Sequence, residues 1–410
     1  MAVGSSVLPD FPVVPGIRLG VVEAGIKKAN RKDLVLIELA QGSVCSGVFT
    51  QNAFCAAPVT LSKKHLLAGD FAQKSPAYLI INTGNANAGT GSQGMQDALD
   101  TCQAMAHETG VHPEQVLPFS TGVIGEKLPV EKIKQAIPAL KASLNNTNWE
   151  YVAQGIMTTD TRPKGASRQV NYAGQVLTIN GVSKGAGMIR PNMATMLCFI
   201  GTNAKLSQVL ADQLVCELAE KSFNRVTIDG DTSTNDACML FASGQTEAPE
   251  ITTDHPDFPI FKAALSDVFV ELAQAIVRDG EGATKFVTIE VKQARSTEEA
   301  LELAYTIAHS PLIKTALFAS DPNWGRILAA LGRARIDNLE LDKVTIFLGN
   351  VCIVEGGGKC ATYTEALGQA VMDQEEITIT LNLQRGDVSE TVWTCDFSHD
   401  YVTINAEYRT

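Results

Sequence analysis

The segment SKGAGMIRPNMATMLCFIG, residues 183–201, sets a glycine-rich loop with one lysine against an apolar run, and Ala194 and Thr195 stand at the junction. A threonine hydroxyl inside a chain can attack the carbonyl just before it. The N→O acyl shift gives an ester, and hydrolysis of that ester leaves a new N-terminal threonine. The freed α-amino group has an unperturbed pKa of about 7.7–8.0, whereas the amide it replaces is not basic. Cleavage therefore creates a general base beside the hydroxyl it must activate. Ala194 is small enough to leave the attacked carbonyl accessible, and Gly185 and Gly187 permit a tight approach of the backbone. Ala-Thr ahead of an apolar strand is also a common turn, and on this segment alone both readings stand.

Other chemistries find less support. The six histidines lie far apart, with no partner at metal or triad spacing, so a nucleophile here is not expected to be activated by histidine. GTGSQG (89–94) matches G-x-G-x-x-G between a strand and a helix. TGNANA intervenes, however, and the acidic residue due about twenty positions on is Glu114, ahead of the next strand rather than at its end. DGDTSTND (229–236) begins like a calcium loop, then puts Thr234 where glycine belongs and Leu240 where the bidentate glutamate belongs. EGGGK (355–359) lacks the first P-loop glycine and is followed by Cys360 in place of Ser or Thr.

Positioning Thr195 falls to a mixture of strands and helices. LVLIELA, SVCSGVFT, AYLIIN and QVLPFS are predicted strands in the first part, with helices over MQDALDTCQAMAHETG, PVEKIKQAIPALKASL and NWEYVAQGIMTTD. TMLCFIG continues as a strand, and a helix from Ser207 has Leu206, Leu210, Leu214 and Leu218 on one stripe. NRVTI and ACMLFA are expected as strands flanking DGDTSTND. A long helix ends at Gly280, Ser296 and Glu299 form a capping box, and VTIFLGN, ITITLNL and TVWTCDF alternate with the helix YTEALGQAVMD. This order points to layered, mixed α/β structure.

The 410 residues suffice for two domains or one large layered one. A net charge of −12 repels phosphate backbones and anionic membrane surfaces, so neither nucleic acid nor membrane is an expected partner. Nine cysteines without any C-x-x-C suggest neither zinc nor a disulfide framework, and Cys198, Cys216, Cys238 and Cys352 read as small buried hydrophobes. No signal peptide or membrane span is apparent. A cytoplasmic enzyme acting on small molecules is the expectation.

KGAGMIRPNMATML, LPFSTGVIG, FNRVTIDGDTSTND, FASDPNWGR and the C-terminal INAEYRT together resemble the ornithine acetyltransferase family of arginine biosynthesis, over essentially the whole chain. The resemblance implies an α-β-β-α sandwich like that of N-terminal-nucleophile enzymes, with a smaller second α/β domain. It implies self-cleavage between Ala194 and Thr195 into 1–194 and 195–410, two intertwined chains that assemble as a heterotetramer of two of each. Thr195 is then the nucleophile, and Thr121 and Gly122 the oxyanion pair; one such donor is typically worth about 2.7–4 kcal/mol of barrier. Thr158, Lys184, Thr195, Glu281, Asn405 and Thr410 match substrate contacts. Lys184 suits an α-carboxylate, and Glu281 the side-chain ammonium of ornithine.

The implied reaction is ping-pong transfer: N2-acetyl-L-ornithine acetylates Thr195, and L-glutamate removes the acetyl group. No metal, nucleotide or other cofactor is implied. Some members also accept acetyl-CoA, and the sequence leaves both donors open. The nearest rival is a self-processing N-terminal-threonine aminopeptidase or amidase with water as acceptor. A ligand-binding protein that stays a single chain is more distant.

Overall fold

The computed structural model describes residues 2–4, 7–67, 77–190 and 196–407. The chain divides into two compact units, one of Val7–Asn224 with Asp231–Ile276, the other of Met1–Ser6, Arg225–Gly230 and Val277–Thr410.

In chain order the first unit begins with β1 (Ile17–Val22), β2 (Leu34–Leu39), β3 (Val44–Phe49), α1 (Ala57–Leu67), β4 (Tyr78–Asn85) and α2 (Gly91–Thr109). It continues with β5 (Val116–Val123), α3 (Val130–Ala142), α4 (Trp149–Gly155), β6 (Lys164–Tyr172), β7 (Gln175–Lys184) and β8 (Leu197–Thr202). α5 (Gln208–Glu220), β9 (Ala237–Ala242) and α6 (Phe258–Arg278) complete it, the last two residues of α6 counting with the second unit. One sheet has the order β1-β2-β4-β5, the other β3-β9-β8-β7-β6.

The two sheets face each other across one apolar layer. Leu19, Ile37, Leu79, Ile81 and Phe119 from the first meet Val182, Leu197, Phe199, Met239 and Phe241 from the second. Phe119 and Phe199 cross edge to face, their centroids 5.2 Å apart. α1, α2 and α3 cover the outer face of the first sheet through Leu61, Ala98, Cys102, Met105, Ile133, Ile137 and Leu140. On the outer face of the second sheet α6 comes so close that a Cβ on Gly181 would stand 2.7 Å from Leu272. The layers are therefore α-β-β-α. β8 and β9 are buried at every position, the signature of strands covered on both faces, which read as unbroken apolar runs rather than alternating ones. α5 holds the expected stripe of Leu210, Leu214 and Leu218, with the Ser207 hydroxyl accepting from the Leu210 N–H.

The smaller unit contains β10 (Phe286–Ala294), α7 (Thr297–Ala308), α8 (Pro311–Phe318), α9 (Trp324–Gly332), β11 (Thr345–Leu348) and β12 (Val351–Glu355). β13 (Gly358–Lys359), α10 (Glu365–Met372), β14 (Glu376–Asn382), β15 (Val388–Cys395) and α11 (His399–Ala406) follow. Its six strands lie in the order β13-β12-β11-β14-β10-β15. Val287, Ile289 and Val291 of β10 pack with Leu303, Ile307, Ile313 and Leu317 in its core.

Several expectations needed correction. NRVTI is not a strand: Phe223–Arg225 form a 3-10 turn and Val226 makes a single bridge to Trp393. The capping box at α7 is half formed, since Ser296 accepts from the Glu299 N–H while Glu299 reaches Arg295 and Arg385 instead of Ser296. Cys216 is exposed and Cys352 only half-buried, because they stand on the open sides of their elements.

Candidate active site

β4 and β5 run parallel, and near their carboxyl ends the register slips at Gly84 and Asn85, opposite Thr121 and Gly122. Gly122 has φ +138°, and a Cβ there would lie 2.3 Å from the Gly84 carbonyl carbon. Only glycine fits, and its backbone is left-handed where the strand bends. The Thr121 side chain, nearly buried, accepts a hydrogen bond from Lys184 Nζ at 3.4 Å. Since the lysine uses an oxygen lone pair, the hydroxyl hydrogen remains for donation to another acceptor.

Lys184 ends β7, whose partner on one side is β8, with Lys184 opposite Leu197. Segments on both sides of Ala194–Thr195 thus belong to one sheet. Ala194, Thr195 and Thr410 lie outside the described residues.

Asp160 organises this corner, and sequence reasoning passed over it as a helix end. Its side chain is fully buried. It accepts from Lys164 Nζ at 2.6 Å, from the Gly185 N–H at 2.7 Å and from the Thr158 N–H at 2.8 Å, with Lys184 Nζ at 4.0 Å. Burial alone would raise the Asp160 carboxyl, but Lys164, Lys184 and the hydrogen bonds outweigh it and hold the group well below the usual carboxylate range. Thr158 lies beyond the end of α4, its hydroxyl 3.5 Å from Asp160 Oδ2. Thr158 and Lys184 therefore meet at the Asp160 carboxylate, and Lys184 links it to Thr121, the neighbour of Gly122. The only sequence signal was an acid beside Thr158 with Lys164 four residues on.

The next residue after Thr195 is held from DGDTSTND. The Met196 N–H donates to Asp236 Oδ1 at 2.9 Å, and the Met196 carbonyl accepts from the Ala237 N–H at 3.1 Å. Burial pushes the Asp236 carboxyl well above its ordinary value, against the Met196 N–H, the Lys184 charge and the Ser233 hydroxyl.

In the smaller unit Glu281 is buried and accepts from Asn405 Nδ2 at 2.7 Å. Asn405 belongs to α11, not to a frayed tail. The helix sits tightly on the Glu281 turn: Gly282 has φ +70°, and a Cβ there would be 2.6 Å from the Tyr401 nitrogen. Glu281 is thus fixed rather than an exposed turn residue. Among the described residues no helix is long and apolar enough to cross a membrane.

An α-β-β-α unit with a polar strand-end cluster, joined in sequence to a smaller α/β unit, defines the class of protein. The ArgJ family profile matches residues 18–410. The "Arginine biosynthesis bifunctional protein ArgJ" of Pseudomonas fluorescens is 58% identical over 411 residues, covering 100% of both chains. The chain belongs to the ArgJ family. The crystal structure of the Bacillus halodurans bifunctional protein ArgJ is 35% identical, with a TM-score of 0.48 over 50% of this chain and 95% of that one. That of the Mycobacterium tuberculosis ornithine acetyltransferase complexed with ornithine is 30% identical, with a TM-score of 0.38 over 45% of this chain and 93% of that one.

Proposed function

We propose that the chain is a glutamate N-acetyltransferase of arginine biosynthesis that cuts itself between Ala194 and Thr195. The Thr195 hydroxyl then carries acetyl from N2-acetyl-L-ornithine to L-glutamate. Family membership supports acetyl transfer in that pathway. The observation that carries the chemistry is the meeting of the Thr121 hydroxyl and its neighbour Gly122, on β5 of one sheet, with the Lys184 ammonium at the end of β7 in the other sheet, whose strands β7 and β8 flank Thr195 in sequence.

In the proposed cycle the α-amine of Thr195 takes the hydroxyl proton as oxygen attacks the acetyl carbonyl. Thr121 and the Gly122 N–H stabilise the tetrahedral oxyanion. Ornithine departs with the proton, and the amino group of glutamate attacks the acetyl ester by the reverse course. Lys184 is assigned to the α-carboxylate that both amino acids share, with Thr158 beside it. Glu281 takes the side-chain ammonium of ornithine, and Asn405 and Thr410 are further substrate contacts. "Bifunctional" in the relative's name fits a second donor, for which acetyl-CoA is the proposal. Chains 1–194 and 195–410, two of each, form the proposed assembly.

N-acetylglutamate is followed with acetylornithine and glutamate, then with acetyl-CoA and glutamate. Formation in the first mixture, abolished in Thr195→Ala, is the expected result. Release of acetate without glutamate-dependent transfer would favour the amidase reading instead.

A further inference from the structure

The hairpin of β1 and β2 is closed by residues 23–33, where about two to five residues usually suffice. Lys27, Lys28, Arg31 and Lys32 fall inside that loop, with no acid from 27 to 32, in a chain of net charge −12. This concentration of cations stands against the field of the rest of the protein.

The loop is firmly held. Asp33, 2% exposed, closes it from within: Oδ1 accepts from the Ala24 N–H and Oδ2 from the Ile26 N–H, each at 2.6 Å. Lys132 of α3 donates to the Gly25 carbonyl. On the returning limb, Arg31 Nη2 donates to the Met157 carbonyl at 2.7 Å and the Thr158 carbonyl at 3.3 Å, and Lys32 Nζ to Gln154 Oε1 at 3.0 Å. Lys27 and Lys28 are exposed at the tip, without an ion-pair or hydrogen-bond partner among the described residues.

Both limbs of the loop touch the site. A Cβ on Gly84 would stand 2.9 Å from Lys27 Cβ and 3.6 Å from the Lys27 nitrogen, and Gly84 is the register partner of Gly122. Thr158, whose carbonyl Arg31 holds, meets Lys184 at Asp160. The cationic loop therefore borders the polar cluster both beside β4 and beyond α4.

We propose that Lys27 and Lys28 bind the phosphate groups of a coenzyme A thioester whose acyl end reaches the Thr121–Lys184 cluster. This rests on the reading of acetyl-CoA as the second donor. Acetylornithine and glutamate carry no phosphate, so exchange between them gives two exposed ammoniums at the rim nothing to bind. The pantetheine arm sets the phosphates of coenzyme A well away from its acyl group, which matches cations outside the cluster rather than within it. Lysine suits the task as a point-charge phosphate ligand.

The test measures N-acetylglutamate formation by the full-length protein at saturating glutamate with three donors: acetyl-CoA, S-acetylpantetheine, which lacks the phosphates, and acetylornithine. Wild type should show a KM for acetyl-CoA at least about 10-fold below that for S-acetylpantetheine. The double variant Lys27→Gln, Lys28→Gln keeps both side-chain stems and removes both charges. It should raise the acetyl-CoA KM about 10-fold, flatten the rise of that KM with salt, and leave kcat and the other two donors within about twofold. An acetyl-CoA KM within about twofold of wild type, or an equal loss with all three donors, would overturn the proposal. A wild-type enzyme that exchanges acetyl between acetylornithine and glutamate but takes none from acetyl-CoA would overturn the second-donor reading, and the proposal with it.

Discussion

Lys184 Nζ donates to Thr121 Oγ1 at 3.4 Å while standing 4.0 Å from Asp160 Oδ2. One ammonium thereby links the candidate oxyanion donor to a buried anion. Thr121→Ala is expected to lower kcat about 100- to 1000-fold with little change in KM, as for loss of an oxyanion donor. Lys184→Met should lower kcat/KM about 10- to 100-fold in both half-reactions, since both amino acids present an α-carboxylate. The double variant should fall short of the product of the two effects because the side chains touch. Steady-state kinetics with each substrate varied checks all three.

Asp160 is the anion for two buried lysines, and Asp160→Asn leaves both without it. A loss of about 3–5 kcal/mol of stability is expected, read from denaturant midpoints. The sign of its pH dependence follows from the lowered carboxyl. The folded value lies below the unfolded one, so the stabilisation is fully present above the unfolded pKa of about 3.9 and is lost as pH falls through the folded value. The gap between wild type and Asp160→Asn should therefore hold steady near neutrality and narrow in acid. A gap that widens below about pH 4 would contradict the assignment.

Much of the architecture was legible because burial leaves a pattern. LCFIGT and ACMLFA are unbroken apolar runs and became the two covered strands of the second sheet. The β6–β7 hairpin escaped notice: its turn is Ala173–Gly174, with φ +50° and +78°, and alanine gives no turn signal of the kind asparagine would. NRVTI has strand composition but serves as the crossing between units, where a single bridge is all the pairing it finds. At the site, Thr121, Gly122, Thr158 and Lys184 could be named by resemblance. Asp160 and Asp236 could not be found by spacing, because their importance lies in burial and in partners distant along the chain.

Glu281 and Asn405 give a test of substrate discrimination. Glutamate has no side-chain ammonium, so Glu281→Gln should slow acetylation by acetylornithine about 10- to 100-fold and affect deacylation by glutamate much less. Single-turnover measurement of each half-reaction separates them. Equal losses in both would point to a structural role for the Glu281–Asn405 bond.

Phe199 lies between the sheets against Phe119, fully buried. Phe199→Ala should cost about 3–5 kcal/mol, measured by denaturant unfolding.

The most direct measurement is the mass of the protein mixed with N2-acetylornithine in the absence of glutamate. Two polypeptides are expected in place of one 43.8 kDa chain, the second beginning at Thr195 and carrying one acetyl group that disappears when glutamate is added. An intact chain, or an acetyl group located away from Thr195, would contradict it.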